Sequence, residues 1–267
     1  MKRQLACIAL ASCAGLPAHA AGLEAAAPLQ VPSRVHDLWI TPHGVIKAAL
    51  RNGASLAFRT VGGKEMALVS FTEQSRFSAT AYINEDYLVE RVESRMPNPV
   101  LGDTAVVTSY ENYRQHGDIR FPARIRQSAG GYPVLDLAVS EVQPNAAVDL
   151  PVPENVRVFA ERVASEKVAD GVWYLAGASH HSVAIEMKDH VIVVESPLYD
   201  GRAAAMLAEV KKLVPGKPIR TVVNSHFHFD HAGGLRTAAA EGATIVVHQA
   251  SKDWYEKALA NPNRISP

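Results

Sequence analysis

Six residues, His226-Phe227-His228-Phe229-Asp230-His231, constrain this chain more than any other stretch. They follow an apolar run, Ile219 to Val223, and the pair Asn224-Ser225. Ala232-Gly233-Gly234 comes directly behind them. A lone histidine on an apolar strand is usually packed or solvent-facing. Three histidines and a carboxylate at a strand end point instead to a metal site. In an extended segment alternate residues share one side, so His226, His228 and Asp230 can converge. His231 needs a turn to reach the same place. The two glycines permit that turn and a close backbone approach to the next helix. Imidazole and carboxylate suit zinc, but also iron or manganese, so donor type leaves the metal open.

The surroundings of the cluster have α/β grammar. Val172 to Leu175, Ser182 to Met187 and His190 to Val194 are expected as short strands, with Lys188-Asp189 as a tight turn. Ala203, Met206, Leu207, Val210, Leu213 and Val214 then form one apolar helical stripe, with Glu209, Lys211 and Lys212 off it. Pro215-Gly216 stops that helix. Ile219 to Val223 is a buried strand, and a helix is expected from about Gly234. Ala243 to Val247 is a further strand, and Lys252 to Leu259 a last helix. Alternating strands and helices make a layered α/β unit.

The preceding region is different. From about Val35 to Val148 the pattern is β-like. Phe77, Ala79, Ala81 and Ile83 alternate with polar residues. Ile119 to Gln127 and Tyr132 to Val139 are two β-like runs joined by Ser128-Ala129-Gly130-Gly131, a hairpin signal. Pro122 and Pro133 belong at strand starts or edges. Pro144 to Pro153 is rich in Pro, Asn and Ala and places a domain boundary near Val152. The expected organisation is residues 1–20 as a leader, 35–150 as a β-rich domain and 163–267 as the α/β domain.

The leader has a targeting signature. Lys2-Arg3 precede a mostly apolar stretch from Leu5 to Leu16, and Ala18-His19-Ala20 fits a small-x-small cleavage site. Export to the periplasm or outside the cell is the expectation. The alternative is a membrane-anchored lipoprotein, with Cys13 lipidated. The chain's 2 cysteines, Cys7 and Cys13, both lie in this leader. A mature chain without cysteine has no disulfide and no thiolate ligand. Its metal site must come from His, Asp and Glu. The formal net charge is +0, which gives no global electrostatic case for nucleic acid or an anionic membrane. No apolar run beyond the leader is long enough for a transmembrane span.

His226-x-His228-x-Asp230-His231 followed by Gly-Gly resembles the signature of the metallo-β-lactamase-fold hydrolases. The hairpin, helix and strand before it are similar to the way that fold begins. The resemblance implies an αββα sandwich with one or two Zn2+ ions at its edge. His226 and His228 would bind the first metal, and Asp230 and His231 the second. Asp230 would also orient the attacking water or take its proton. A bound divalent ion brings the pKa of its water from 15.7 towards about 7, which makes hydroxide available at neutral pH. Glu195-Ser196-Pro197 stands where the family usually has an Asp, and Glu195 is expected to substitute for it. The family also has downstream ligands that this sequence does not contain, so the expectation is the first half of the sandwich in a C-terminally truncated chain. His248 is expected to have a structural role, and the pair His180-His181, which could line the cleft from the first hairpin, is expected to be a surface or loop pair. Two adjacent histidines on a strand point to opposite faces, so at most one could face the site.

The β-rich region resembles, through Asp118-Ile119-Arg120-Phe121-Pro122 and Gly130-Gly131-Tyr132-Pro133-Val134, the lipoprotein-carrier half barrels attached to some exported members of that family. Other chemistries lack their motifs. There is no Gly-x-Ser-x-Gly elbow, no phosphate loop ending in Lys-Ser/Thr and no His-Glu-x-x-His helix. The expected function is metal-dependent hydrolysis of a small-molecule lactam, ester, thioester or phosphoester. The alternative is a catalytically incomplete chain whose β-rich domain binds envelope lipid or a partner.

Overall fold

The computed structural model describes residues 31–74, 76–147 and 160–265. The leader and the expected boundary near Val152 lie outside the described residues. The chain divides into two compact units. One comprises Met1–Met96, Thr104–Arg157 and Ile265–Pro267, the other Pro97–Asp103 and Val158–Arg264.

The first unit begins with two helices, α1 (Val31–Trp39) and α2 (Pro42–Arg51). They correct the β-like expectation from Val35 onward. Thr41 caps α2 by accepting a hydrogen bond from Gly44 N at 3.1 Å, and Pro42 occupies the first turn, where no N–H is needed. Val45, Ala48 and Ala49 then sit at helical spacing and are buried. The period here is 3.6, and the strand signals begin only at Ser55. Seven strands follow: β1 (Ser55–Val61), β2 (Lys64–Glu73), β3 (Phe77–Ile83), β4 (Val89–Asn98), β5 (Gly102–His116), β6 (Ile119–Ala129) and β7 (Tyr132–Ala138). Each pairs with its sequence neighbour in one sheet. Phe77, Ala79 and Ala81 of β3 are buried against Val45, Ala48 and Ala49, as the alternation requires. Pro133 lies on β7, the sheet edge. Pro122 is paired to Tyr113 of β5, but β7 reaches β6 only from Arg124 onward. Both prolines thus avoid a central ladder position.

The second unit is a six-stranded sheet in the order β13-β12-β11-β10-β9-β8. Its strands are β8 (Ala164–Ala169), β9 (Val172–Ala176), β10 (Ser182–Glu186), β11 (Val191–Val194), β12 (Ile219–Val223) and β13 (Thr244–Val246). β8 to β11 pair antiparallel, whereas β11/β12 and β12/β13 pair parallel. Parallel pairs need crossovers. These are α3 (Asp200–Leu213), and the short helices α4 (Phe229–Ala232) and α5 (Leu235–Ala240). A last helix, α6, spans Lys252–Ala260.

The predicted stripe of α3 is the heart of this core. Ala203, Met206, Leu207 and Val210 pack with Leu175, Ala184, Val191, Val193 and Val222. Each large side chain fully buried there contributes about 1.5–3 kcal/mol. Ala184 and Val193 are cross-strand partners on the buried face. Val183/Val194 and Ile185/Ile192, on the opposite face, are half-buried. β8 has no counterpart among the expected strands. All of its side chains are exposed, so no apolar alternation marks it. Backbone pairing to β9 alone makes it a strand. Among the described residues, no helix is long and apolar enough to cross a membrane.

Candidate metal centre

β9, β11 and β12 run in one direction, because β9 and β11 are each antiparallel to β10 and β11 is parallel to β12. Their carboxyl ends therefore share one edge of the sheet, the edge where open α/β sheets bind ligands. Three segments emerge there: residues 177–181 after β9, the turn 195–199 after β11, and the histidine loop after β12.

The histidine loop does not stay extended. His228 is the N-cap of α4, and its carbonyl accepts from His231 N at 3.0 Å and Ala232 N at 2.8 Å. Asp230 thus joins His226 and His228 through a helical turn, not through the strand alternation expected from sequence. The same turn carries His231 round. The His226 ring centroid lies 4.9 Å from that of His228 and 4.1 Å from that of His231.

Two sets of donor atoms result, each within 4.8 Å: His226, His228 and Asp230, and His180, Asp230 and His231. Two ligands about 2.1 Å from one ion at a tetrahedral angle stand roughly 3.4 Å apart, so small adjustments would close either set on an ion. The donors are all nitrogen and oxygen, which fits zinc, iron or manganese. Among the described residues the Asp230 carboxylate has no Lys or Arg ion pair. Its charged-group neighbours are His180 Nε2 at 3.1 Å and His231 Nε2 at 3.8 Å.

The supports of this cluster were only partly legible. Glu195 does brace it. Its carboxylate accepts from Asn224 Nδ2 at 2.8 Å and Ser225 N at 3.0 Å, and lies 3.4 Å from His231 Nδ1. Glu195 and Leu198 have φ of 68° and 71°, left-handed values that cost a non-glycine residue on the order of 1–3 kcal/mol. Asn224 is buried, and Nδ2 also donates to the His231 carbonyl at 2.9 Å, while Oδ1 accepts from the Tyr255 hydroxyl of α6. α6 is held in turn by Arg236, whose guanidinium reaches the Ala258, Leu259 and Asn261 carbonyls at its C-terminal end.

Burial pushes the Tyr255 phenol up to about 12, and the Glu195 charge adds to the effect. The unfolded phenol, near 10, loses its proton first. The native state therefore keeps full stability from this group below pH 10 and loses it as pH rises towards 12. Tyr255→Phe should cost about 1–3 kcal/mol near neutrality, because the buried Asn224 Oδ1 is left without a donor. It should also flatten the alkaline fall in stability. Urea denaturation at several pH values from neutral to alkaline checks both.

The expected structural histidines separate. His248 caps the turn Gln249–Ser251, where Nδ1 accepts from Ala250 N at 3.2 Å. His181 packs on Tyr174, with ring centroids 5.3 Å apart. His180 and His181 lie in the loop between β9 and β10, as the loop reading has it, and His180, partly exposed, faces Asp230. The sequence signal was present in the adjacent pair, but β9 and β10 had first to place the loop at the metal edge. Arg202, wholly buried on α3, holds that loop through hydrogen bonds to the carbonyls of Gly177 at 3.1 Å and His180 at 3.3 Å.

Residues 175–264 match the family profile described as the Metallo-beta-lactamase superfamily. A curated relative, the 2,4-dinitroanisole O-demethylase subunit alpha of Nocardioides sp. (strain JS1661), is 28% identical over 85 residues, covering 32% of this chain and 26% of that protein. Among solved structures, the metallo-β-lactamase FIM-1 from Pseudomonas aeruginosa in its mono-zinc form is 23% identical, with a TM-score of 0.32, covering 38% of this chain and 48% of that one. The metallo-β-lactamase from Hirschia baltica is 22% identical, with a TM-score of 0.33, covering 38% and 50%. The chain therefore spans about a quarter of the curated relative and about half of these solved structures.

Proposed function

We propose, from the match of residues 175–264 to the profile of the Metallo-beta-lactamase superfamily, that this chain is a metal-dependent hydrolase of a small molecule. The observation that carries the reading is the convergence of His226, His228, Asp230 and His231 at the carboxyl edge of a parallel pair of strands. His226, His228 and Asp230 would hold one ion, and Asp230 and His231 would contribute to a second. Zinc, iron or manganese suits these donors. Such an ion supplies Lewis acidity and a nucleophile at neutral pH.

The chain's own residues have defined tasks. Asp230 is a partly exposed carboxylate at the middle of the cluster, and it would orient the attacking water and accept its proton. Glu195 and Asn224 hold His231 in place. Phe227 and Phe229 are exposed beside the donors and would exclude water from one side of a bound substrate. A lactam, ester, thioester or phosphoester carbonyl or phosphoryl centre would meet this chemistry. The leader supports action in the periplasm or outside the cell.

Metal content after purification without chelators, together with turnover on lactam, lactone, thioester and phosphodiester panels, tests the reading. Bound divalent metal and turnover lost to chelation and restored by zinc are expected. A chain with neither stoichiometric metal nor turnover on any panel member would overturn it.

A further inference from the structure

We propose that His180 is a ligand of a second divalent ion, completing a three-residue set with Asp230 and His231. The proposal rests on the metal reading above. It goes beyond that reading because it assigns a ligand to a different loop, residues 177–181 between β9 and β10.

Three observations support it. First, His180 Nε2 lies 3.1 Å from Asp230 Oδ2, and one donor atom from each of His180, Asp230 and His231 falls within a 4.8 Å group. An imidazole lone pair and a carboxylate at that separation need a cation between them, either a proton or a metal ion. Second, the other ring nitrogen is already engaged. His180 Nδ1 lies 3.0 Å from Ser179 Oγ. The same arrangement recurs at His226, whose Nδ1 lies 2.9 Å from Ser225 Oγ, and at His231, whose Nδ1 lies 3.4 Å from Glu195 Oε2. In the tautomer where such an oxygen accepts the Nδ1 proton, the Nε2 lone pair is left for a metal, as metal-binding histidines generally require. All three histidines have an oxygen placed for this tautomer. Third, the loop is anchored from below. Arg202 is wholly buried, and two of its nitrogens go to the Gly177 and His180 carbonyls. A methyl group on Gly177 would come within 2.7 Å of Arg202 Nε, so the loop and the guanidinium are in direct contact. Burying a guanidinium is costly. Here it fixes the backbone that aims His180.

The two sets share Asp230, which has two oxygens and can serve both. A dinuclear centre can then form from residues of this chain alone.

Cobalt(II) titration of the full chain tests this. The readouts are metal stoichiometry after dialysis and the visible absorption of the bound cobalt. The parent is expected to hold about two ions per chain, His180→Ala and His180→Gln about one each, and His181→Ala about two. His181 is the control, because its ring packs on Tyr174. Unchanged unfolding midpoints of the metal-free variants would establish that the loop substitutions do not act through the fold. Two ions in both His180 variants, or only one in the parent, would overturn the assignment while leaving the metal reading intact. No bound ion in the parent would overturn the metal reading itself and this assignment with it.

Discussion

Replacing His226 and His228 together by alanine is expected to empty the first metal set and abolish turnover while leaving the metal-free fold intact. These residues supply two of the three donors in the first set, which leaves Asp230 as its only donor, while the second set, His180, Asp230 and His231, keeps all three. Protein zinc sites that keep an open position for chemistry use three protein ligands, and a lone carboxylate does not retain the metal. Loss of a mere outer partner costs about 10- to 100-fold in affinity or activity. Removing two direct ligands should exceed that range at the first set, so bound metal should fall from about two ions per chain to about one. The fold should survive, because His228 is exposed and His226 only half-buried. Such substitutions change stability by no more than about 0.5 kcal/mol. The backbone carbonyl of His228, which opens α4, is retained. Metal analysis, turnover and thermal unfolding in chelator measure the three quantities. Parent-like metal content in the double variant would show that the ions bind elsewhere.

Gly233→Ala should be the most damaging single methyl addition in the second unit. A Cβ at that position would lie 2.0 Å from the Leu198 carbonyl oxygen, 2.5 Å from its carbon and 2.6 Å from the Phe229 oxygen. All three are backbone atoms, so no side chain can swing aside. The glycine backbone itself is unremarkable, with φ −64° and ψ −19°, a conformation any residue adopts. Space alone demands glycine here. Accommodating the methyl must separate the 195–199 turn from α4, and the two are tied by Leu198 N to Phe229 O at 3.0 Å and Gly234 N to Ser196 O at 2.8 Å. Overpacking of this kind costs roughly 3 kcal/mol or more. For a unit of this size that is a fall of at least about 10 °C in unfolding midpoint. Metal affinity should fall with it, since α4 carries Asp230 and His231. Gly216→Ala is the contrast. Its φ is 81° with open space around it, so only the left-handed backbone penalty of about 1–2 kcal/mol applies. Equal losses in the two variants would refute the steric explanation.

The two glycines behind the histidines illustrate how far the sequence carries. Gly-Gly after the cluster implied both a turn and a close approach. The turn needs no glycine, since α4 and the residues after it are right-handed. The close approach is real, but its partner is the 195–199 turn and, for Gly234, Ala203 of α3. The contact partner of a glycine is a tertiary property that no local pattern encodes.

Periodic features were legible because one period serves both the sequence and the buried face. The stripe of α3 and the alternation of β3 are buried as their spacing requires. α1 and α2 do not stand out beside the β-like pattern that follows them, although Thr41-Pro42 and the Val45, Ala48, Ala49 spacing mark α2. β8 carries no apolar period at all, and only its partner strand makes it one.

The opening hexapeptide shows the same division. Residue type and crowding alone determined that His226, His228, Asp230 and His231 form a metal-type cluster, since so many donors within six residues cannot avoid one another. Only the tertiary structure decided what completes it. His180 lies far away in sequence and reads there as one of a surface or loop pair. Strand direction brings the end of β9 to the same edge as the end of β12, and buried Arg202 holds the loop there. Sheet topology is a long-range property, and so is the fourth imidazole at this site.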